Sequence, residues 1–378
     1  MVTVAHLIDS FLPATQGWMY NDIAFNRHCR NIVLCQYPQN LQVFPFQNVY
    51  PIHQRYSFAV SFDSLMVRIR AQYRLRPYLG VIAKENPGIL HGHFAPISWR
   101  HINLVRACGL PLVTTFYGLD VDKMWRRRVW RTRYAKLFDI GKIFICEGPY
   151  MASRVRAFGC PEEKIRIVYH AADIERVRRF VKEKIGGSIR VLFIGLARYK
   201  KGADDAVRAF IKAAGSIPKL ELHLVGDGPY RRKTMRILAQ AGMLNRAVYH
   251  GYVGIDTYLS LLGQSDILLA PSKTGPDGDT EGGAPVCVIE AMAAGVPVVG
   301  TTHCDIPNII AHGETGLLCA EGDWECLAEH LTMLACDVKK RGEMALSAKE
   351  YADKKHTIQR RIAELNKVYT EVSSVRLI

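Results

Sequence analysis

Short apolar runs rich in β-branched residues alternate with longer segments of helical periodicity along the whole chain. The first half contains VAHLI (4–8), NIVLCQ, ILHGHF, PLVTTFY, KIFICE and IRIVYH, and the second half contains RVLFIG, LELHLVG, AVYHGYV, DILLAPS, PVVGTT and TGLLCA. Strands that alternate with helices are typical of βα units and parallel sheets. Because each half has its own set of runs, the pattern predicts an α/β protein of two doubly wound, Rossmann-like domains.

The polar segment RVRRFVKEKIGGS (176–188) separates the two sets and ends in two glycines, which predicts the domain junction there. We therefore expect a first domain over residues 1–180 and a second over 188–352, a division that suits a chain of 378 residues. Ligands of two facing doubly wound domains bind at the carboxyl ends of the strands, in the cleft between the domains.

The composition is that of a globular protein, with 49% hydrophobic and 22% charged residues. No stretch approaches the roughly 18 to 20 apolar residues that span a bilayer, and the start of the chain lacks the basic region of a signal peptide. These features predict a cytoplasmic location. The net positive charge of the chain adds a second expectation, peripheral attachment to the inner face of the membrane.

The net charge of +15 lies almost entirely in the first half, where residues 1–185 hold 27 Lys and Arg against 13 Asp and Glu. Such asymmetry indicates an anionic partner: a nucleic acid, an anionic membrane surface or an acidic substrate. The densest part, KMWRRRVWRTRYAKLF (123–138), predicts one helix. Trp130, Tyr134, Leu137 and Phe138 would form its core face, and Trp125 and Val129 would lie on a second, basic face. That second face is either an interfacial membrane contact or an ordinary solvated surface.

Cysteine and histidine spacing argues against a dedicated metal site. The 10 cysteines are scattered singly without a C-x-x-C pair, mostly within apolar runs, and predict buried free thiols in a reducing compartment. The 13 histidines form no H-E-x-x-H motif and no evident Cys/His cluster. We expect no metal ion and no cofactor.

The segment APSKTGPDGDTEGGAPVCVIEAMAAGVPVVG (270–300) carries the most chemical information. A strand ends at Ser272, a polar loop follows, and a helix runs from about Pro285 to Ala294. The approach through Gly282 and Gly283 to the helix N-terminus offers backbone N–H groups and the positive end of the helix dipole, which suit a phosphate. Glu290 lies in an otherwise apolar helix and needs a partner, either a ligand hydroxyl or a structural hydrogen bond.

A loop carboxylate, a glycine-rich turn and then EAMAAGVPVV resemble the donor-binding signature of family-4 retaining glycosyltransferases (glycosyl transferases group 1) of the GT-B fold, polysaccharide-biosynthesis type. The resemblance implies that Glu290 contacts the donor ribose and Glu281 the donor sugar, with Asp279 as the fallback. The turn residues implied in donor binding are Gly282, Gly283, Ala284, Pro285 and Val286. The two glutamates are separated by eight residues, where the family has seven, and Asn308 stands where Glu is usual.

Other segments extend the resemblance over nearly the whole chain. GLARYKKG (195–202) is similar to the family's diphosphate-gripping segment and implies that role for Arg198 and Lys201, although the family spaces these cations five apart and this chain three apart. LVGDGPY (224–230) matches a family turn that holds Gly226 and Gly228. HGYVGIDTYLS (250–260) implies that backbone near Tyr252 and Val253 holds the base.

In the first half, SFLPATQGWMYNDI (10–23) resembles the loop after the first strand in polysaccharide-type members and makes Gln16 and Gly17 candidates for donor or acceptor contacts. ILHGHFAP and PLVTTFYGLDV resemble two further family segments and place His93 and Tyr117 on the acceptor side. His93 has an equal alternative as a satisfied core histidine.

The resemblance implies a retaining hexosyltransferase that uses a nucleotide-sugar donor. The first domain would bind a lipid-linked glycan or polysaccharide acceptor, the second domain would bind the donor, and the helix of residues 353–378 would cross back to the first domain. Two alternatives remain: a nucleotide-sugar epimerase or phosphorylase of the same fold, or, from a different class, a basic nucleic-acid- or membrane-binding module. No nucleic-acid-binding motif is visible, so we expect no nucleic acid partner.

Overall fold

A computed structural model describes residues 1–13, 17–52, 75–181, 187–195 and 198–374 of the chain. The chain forms two compact units: residues 1–169 together with the chain from Ile358 onward, and residues 170–357. Each unit is built around one parallel sheet covered by helices on both faces, which confirms the predicted α/β class with two Rossmann-like domains.

The first unit contains a seven-stranded sheet in which every neighbouring pair is parallel, in the order β3-β2-β1-β4-β5-β6-β7. Its strands are β1 (Thr3–Phe11), β2 (Arg30–Pro38), β3 (Val49–Pro51), β4 (Ile89–His93), β5 (Leu112–Thr115), β6 (Ile143–Cys146) and β7 (Ile165–Ile167). Its helices are α1 (Gly17–Ala24), α2 (Arg76–Glu85), α3 (Ala95–Arg100), α4 (Ile102–Cys108), α5 (Gly118–Trp125), α6 (Arg128–Ile140) and α7 (Pro149–Ala157), joined by α15 (Ile358–Ser374) from the end of the chain.

The second unit repeats this architecture with a six-stranded parallel sheet in the order β10-β9-β8-β11-β12-β13. Its strands are β8 (Ile189–Ile194), β9 (Leu220–Val225), β10 (Ala247–Gly251), β11 (Ile267–Ala270), β12 (Val298–Thr301) and β13 (Gly316–Cys319). Its helices are α8 (Ile174–Arg179), α9 (Ala203–Ala214), α10 (Tyr230–Gln240), α11 (Ile255–Gly263), α12 (Val286–Ala294), α13 (Trp324–Cys336) and α14 (Val338–Lys355).

Both faces of each sheet are buried, which explains why the strands are continuous apolar runs rather than alternating ones. In the second unit, Val191 and Phe193 of β8 pack into one apolar cluster while Leu192, between them, packs into another. In the first unit, Ala5 of β1 belongs to one cluster and its neighbour Val4 to a second that contains Tyr369 of α15. Successive strand residues point to opposite faces, so both faces must be covered.

The two units divide at a different place from the predicted junction. We expected the first domain to extend to residue 180, but Ile174 and Val177 of α8 are buried in the second unit, in the same cluster as Val288 and Met292 of α12. Helix α8 is short and follows the last strand of the first sheet, so its sequence carries no indication of the sheet against which it packs. In α15, the predicted stripe of Ile358, Ile362, Leu365 and Tyr369 is buried.

The basic segment departs from the single helix that we predicted. Trp130, Tyr134, Leu137 and Phe138 are buried, as predicted. However, Arg127 is extended and separates α5 from α6. Trp125 therefore does not lie on an exposed basic face: its ring is half-buried and stacks on Phe158, with 4.1 Å between the ring centroids. The break lets Trp130 be buried while Trp125 also packs against the domain, whereas one continuous helix would place the two tryptophans on different sides.

The expectation of free thiols throughout is wrong for two of the cysteines. Cys319, the last residue of β13, forms a disulfide with Cys326 of α13. The other eight cysteines are free. Among the residues that the structure describes, no helix is both long and apolar enough to cross a bilayer.

Candidate active site

The carboxyl ends of β8 and β11 bring together the segments that the sequence singled out. These two strands are neighbours at the centre of the second sheet, where the strand order reverses, and such a switch point is the usual ligand site of an open α/β sheet. The two loops touch at Gly202, which has a φ of 68°, and a Cβ there would lie 1.9 Å from the Pro271 carbonyl oxygen. Only glycine allows this approach.

Three cations and two carboxylates form an ionic cluster at this edge. Arg198 Nη1 lies 3.3 Å from Asp279 Oδ2, and Lys200 Nζ lies 3.3 Å from Asp279 Oδ1 and 3.6 Å from Glu281 Oε2. Lys201 Nζ lies 2.8 Å from Glu281 Oε1. The sequence-predicted Arg198, Lys201 and Glu281 thus meet, and the structure adds Lys200, which the sequence did not single out. Because Lys200 and Lys201 are adjacent, the sequence does not indicate which lysine side chain points toward the carboxylates.

The members of the ionic cluster differ in exposure. The Arg198 side chain is 59% exposed, whereas that of Lys200 is 12% exposed. Burial would raise the pKa of Glu281, but Lys201 and Lys200 outweigh it and lower that pKa to about 2. Burial likewise opposes the charge on Lys201, and the nearby Glu281 carboxylate raises the lysine pKa despite it. The carboxylate and the lysine are therefore both ionised at neutral pH.

A second group of ion pairs fixes the loop after β11. Lys273 Nζ lies 2.7 Å from Asp205 Oδ2 and 3.0 Å from Asp204 Oδ1 at the start of α9, and the Lys273 backbone N–H donates to the Lys200 carbonyl. Lys233 Nζ lies 2.7 Å from the other oxygen of Asp204. Sequence reasoning missed these residues because the paired side chains are 29 to 69 positions apart and follow no shared periodicity.

Glu281 is also positioned through His303, a fully buried side chain that the sequence analysis did not select. The Glu281 backbone N–H donates to His303 Nε2 at 3.0 Å, so the ring carries its proton on Nδ1. His303 Nδ1 in turn lies 2.5 Å from Glu321 Oε1, and Glu321 Oε2 accepts the Thr274 backbone N–H at 2.8 Å. Ser272 Oγ donates to Glu281 Oε1 at 3.0 Å.

Helix α12 begins at Val286, directly after the Gly282–Pro285 turn, and no side chain caps its N-terminus. Gly282 has a φ of 74°. Glu290, in the middle of this helix, accepts a hydrogen bond from Tyr258 Oη of α11 at 2.5 Å. Burial raises the pKa of Glu290 to about 7, although the Tyr258 hydroxyl opposes that shift. The structure therefore supplies the partner that this carboxylate needs, a tyrosine that sequence reasoning did not identify.

The turn after β9 completes this edge, because β9 is the other neighbour of β8. Gly226 and Gly228 have φ values of 103° and 144°, and the Gly226 N–H donates to the Gly251 carbonyl. Tyr252, which follows β10, is 71% exposed and donates from its hydroxyl to the Asp227 carbonyl at 3.0 Å. The half-buried Val253 packs against the cluster that contains α12.

Comparison with known families matches both halves of the chain. Residues 188–337 match the family model described as glycosyl transferases group 1, and residues 32–176 match that of glycosyltransferase family 4. The chain belongs to the group 1 glycosyltransferases. The family resemblance and the GT-B fold predicted from the sequence are thereby confirmed.

Individual relatives lead to the same family. This glycosyltransferase is 28% identical over 244 residues to the colanic acid biosynthesis glycosyltransferase WcaL of Salmonella typhimurium, covering 63% of this chain and 59% of WcaL. It is 28% identical over 258 residues to the amylovoran biosynthesis glycosyltransferase AmsK of Erwinia amylovora, covering 67% of this chain and 63% of AmsK. The match thus spans about three fifths of the length of these relatives.

Solved structures show the fold. HepE of Anabaena, in complex with UDP and glucose, is similar over 98% of this chain and 100% of its own, with a TM-score of 0.75 at 16% identity. The lipopolysaccharide outer core galactosyltransferase WaaB in its apo form is similar over 98% of this chain and 99% of its own, with a TM-score of 0.70 at 14% identity.

In the first unit of this glycosyltransferase, the described acceptor-side residues Gly17, His93 and Tyr117 lie at or after the carboxyl ends of strands of the first sheet. Gln16 lies outside the described residues. Gly17 begins α1, where an added Cβ would lie 3.2 Å from the Phe44 ring. Tyr117 follows β5, and its ring lies 4.5 Å from that of Trp18, centroid to centroid.

His93 belongs to a buried chain of hydrogen bonds. Its Nδ1 lies 2.9 Å from Tyr117 Oη, and its Nε2 lies 2.9 Å from His6 Nδ1. His6 Nε2 lies 2.9 Å from Asn31 Oδ1, while the Asn31 amide nitrogen donates to the carbonyls of Ile23 and Asn26. Since Asn31 Oδ1 must accept, each ring in turn donates toward Asn31, and the Tyr117 hydroxyl donates to His93. Both nitrogens of His93 are occupied, which favours the satisfied core histidine.

Proposed function

We propose that this protein is a retaining hexosyltransferase that moves a sugar from a nucleotide-sugar donor to a polysaccharide or lipid-linked glycan acceptor in cell-surface polysaccharide biosynthesis. The single observation that carries the proposal is the ionic cluster of Arg198, Lys200, Lys201, Asp279 and Glu281 at the switch point of the second sheet. The biosynthetic role rests on WcaL and AmsK, whose names assign them to colanic acid and amylovoran biosynthesis.

The ionic cluster suits a diphosphate because it holds one more cation than carboxylates. Arg198 is the accessible member, and its weak contact with Asp279 can be exchanged for a phosphate oxygen. Arginine and lysine stabilise a leaving diphosphate as its charge develops, without help from a metal ion. The N-terminus of α12, with the bare backbone of Gly282 and Gly283 before it, offers further N–H donors to the same anion.

The remaining predicted residues would each contact another part of the donor. Glu290 would accept a hydrogen bond from a ribose hydroxyl with the oxygen that Tyr258 does not use, and Glu281 or Asp279 would orient the transferred sugar. The backbone near Tyr252 and Val253 would hold the base. UDP in the structure of HepE, which shares this fold, supports the proposal of a nucleotide-sugar donor.

The proposed reaction is a front-side attack in which the leaving phosphate takes the acceptor's proton, so the protein binds, orients and stabilises charge but supplies no nucleophile. Cys287, at the start of α12, fits this proposal because burial raises the pKa of its thiol to about 11 and keeps it protonated. The reported relatives are glycosyltransferases, which favours sugar transfer over epimerisation, phosphorolysis or nucleic acid binding.

The test is a thermal-shift and turnover screen against UDP-, GDP-, ADP- and TDP-sugars with the wild type, Arg198→Ala and Glu290→Gln. One donor should stabilise the wild type by about 2.7 kcal/mol at a hundredfold excess over Kd, and both variants should lose turnover while they remain folded. Lys212→Met, which removes an exposed lysine of α9 paired with Glu325, is the control. Near-wild-type turnover in both site variants would refute the site assignment.

We also propose that the first unit contacts an anionic membrane surface. Arg126, Arg127, Arg128 and Arg131 are exposed around the start of α6, and Val129 between them is 46% exposed. Each basic residue near an anionic leaflet contributes about 1 kcal/mol. This arrangement would bring a lipid-linked acceptor to the protein, although Trp125 takes no part in it.

Binding to vesicles that contain anionic lipid at low salt tests this contact. Arg127→Gln/Arg128→Gln should weaken partitioning by about 2 kcal/mol, or ~30-fold. The matched control is Arg232→Gln/Arg236→Gln, which removes two exposed arginines from α10. Equal loss in both double variants would show only a general charge effect and would contradict the proposed surface.

A further inference from the structure

Three side chains of metal-ligand type meet outside the ionic cluster, at the edge strand of the second sheet. Cys319 ends β13, and Cys326 and His330 lie one turn apart on α13. His330 Nδ1 lies 3.2 Å from Cys319 Sγ and 3.9 Å from Cys326 Sγ. Cys319 is buried, while Cys326 and His330 are half-buried and so accessible to a small ion.

Rigid elements hold these side chains in place whether or not the sulfur atoms are bonded. The Cα atoms of the two cysteines are 6.0 Å apart, fixed by β13 and by the first turn of α13. Asp323 caps that turn, because its Oδ1 accepts the Cys326 backbone N–H at 2.9 Å. A dithiol, itself oxidised to a disulfide, would deliver two electrons and two protons to the sulfur–sulfur bond; a phosphine would deliver the two electrons and become a phosphine oxide, with water supplying the oxygen and the two protons. The product is two thiols close to His330.

We propose that the reduced protein binds one zinc-class divalent cation through the Cys319 and Cys326 thiolates and His330 Nδ1. Each thiol loses its proton to solvent as its metal–sulfur bond forms. Zinc bonds of about 2.3 Å to sulfur and about 2.0 Å to nitrogen place the S and N ligands of a tetrahedral site about 3.5 Å apart. In the disulfide-bonded form the S···N distances are 3.2 and 3.9 Å, on either side of that value, and reduction leaves the two sulfur atoms free to separate around the ion.

The neighbouring His312 does not complete this site. Its ring lies 5.6 Å from that of His330, but its Nδ1 accepts the Leu318 backbone N–H at 3.0 Å. A neutral imidazole that accepts at Nδ1 carries its proton on Nε2, so neither nitrogen of His312 is free to ligate. Three protein ligands would leave the fourth position to water.

The position of the site suggests what it stabilises. The chain between Cys319 and Cys326 carries Glu321, which holds His303 and, through it, the Glu281 backbone. A disulfide closes this short segment in the oxidised protein. The metal would take over that closure in the reduced protein, so the loop stays fixed under either redox condition.

Cobalt(II) titration of the full-length, phosphine-reduced and metal-free protein tests the proposal. We expect thiolate-to-cobalt charge-transfer absorption that saturates at one equivalent and disappears when one equivalent of zinc is added. The oxidised protein should show no such band, because its two sulfur atoms are bonded to each other. Absence of a saturable band in the reduced wild type would overturn the proposal, and this measurement depends on no variant.

Variants then locate the ligands. Cys326→Ser and His330→Ala should each weaken cobalt binding by at least about tenfold. Cys336→Ser, which changes an exposed free cysteine at the end of the same helix, is the matched control and should leave binding unchanged. A band that persists in Cys319→Ser/Cys326→Ser would also overturn the proposal. Because absorption is measured rather than sugar transfer, failure here is independent of the proposed glycosyltransferase activity.

Discussion

The two sheets share one topology but carry opposite chemistry at their carboxyl edges. In the first sheet the switch point lies between β1 and β4, where His93 ends β4 and is hydrogen-bonded to His6, which lies within β1. In the second sheet it lies between β8 and β11 and is occupied by Arg198, Lys201 and Glu281 among others. The topology therefore determines where a ligand can bind. The side chains determine whether that position can hold a charged ligand.

Burial has a different effect at each edge. In the first unit it lowers the pKa of His6 to about 4 and the pKa of His93 well below its ordinary value, so the histidine network is neutral. In the second unit, opposite charges overcome burial and keep Glu281 ionised. A neutral, fully hydrogen-bonded network stabilises a scaffold, whereas an ionic cluster with an exposed arginine can exchange a carboxylate for a phosphate.

Removing a cation from the ionic cluster should have the largest effect on turnover. Lys201→Met takes away one charge that would stabilise the leaving diphosphate, and we expect kcat to fall by about 100-fold or more. Initial rates at saturating donor measure this loss. Lys201→Arg keeps the charge and should retain more activity than the methionine variant.

The surface variant Lys212→Met should turn over at the wild-type rate. If Lys201→Met also retained wild-type kcat, the positive charge at the edge of the second sheet would not contribute to catalysis.

Breaking the histidine network should instead affect stability. His6→Ala removes the buried partner of His93 Nε2 and one of the two donors to Asn31 Oδ1, which keeps only the weak Cys29 thiol donor. An orphaned buried group costs about 1 to 3 kcal/mol, so the free energy of unfolding should fall by at least about 1 to 3 kcal/mol in urea denaturation. His28→Ala, at an exposed position, should change it by less than about 0.5 kcal/mol. A large loss of turnover in His6→Ala without loss of stability would contradict the scaffold role.

The fold and the location of the candidate site could be predicted from the sequence. Apolar runs such as RVLFIG and DILLAPS became β8 and β11, because strands buried on both faces must be continuously apolar. Glycines marked the loops that follow them. The core stripe of α6 was also predictable, since helical periodicity identifies the residues that share a face.

Contacts between distant segments were not predictable. His303 reaches Glu321 and Glu281 only after three loops have converged, and no spacing in the sequence encodes this. Cys319 and Cys326 are separated by six residues, which is not a familiar pairing motif, and a strand end followed by a helix start brings them together. The break at Arg127 contains neither glycine nor proline, so only the packing of Trp125 on Phe158 reveals its cause.

The pH dependence of donor binding sharpens the comparison, because Glu290 titrates near neutrality while Glu281 does not. Burial raises the pKa of Glu290 to about 7, so the carboxylate that would accept the ribose hydroxyl forms only as the pH rises through that value. We expect kcat/KM for the donor to increase about tenfold between pH 6 and pH 8. In Glu290→Gln the residual kcat/KM should be low throughout this range and should not show the rise. A wild-type kcat/KM that falls over this range would contradict the role of the Glu290 carboxylate as the hydrogen-bond acceptor for the ribose hydroxyl.

The smallest effect should come from removing the Tyr258 hydroxyl, which opposes the rise in the Glu290 pKa. Tyr258 donates to Glu290 Oε2 at 2.5 Å and so favours the ionised carboxylate. Tyr258→Phe removes the donor while the ring stays, and the midpoint of the pH profile should move upward by about one pH unit, equivalent to ~1.4 kcal/mol. Tyr252→Phe, which loses a hydroxyl bound only to the Asp227 carbonyl at the exposed turn, should leave the midpoint in place. A downward shift in Tyr258→Phe would mean that the tyrosine stabilises the protonated acid, and Glu290 would then serve the fold rather than the donor.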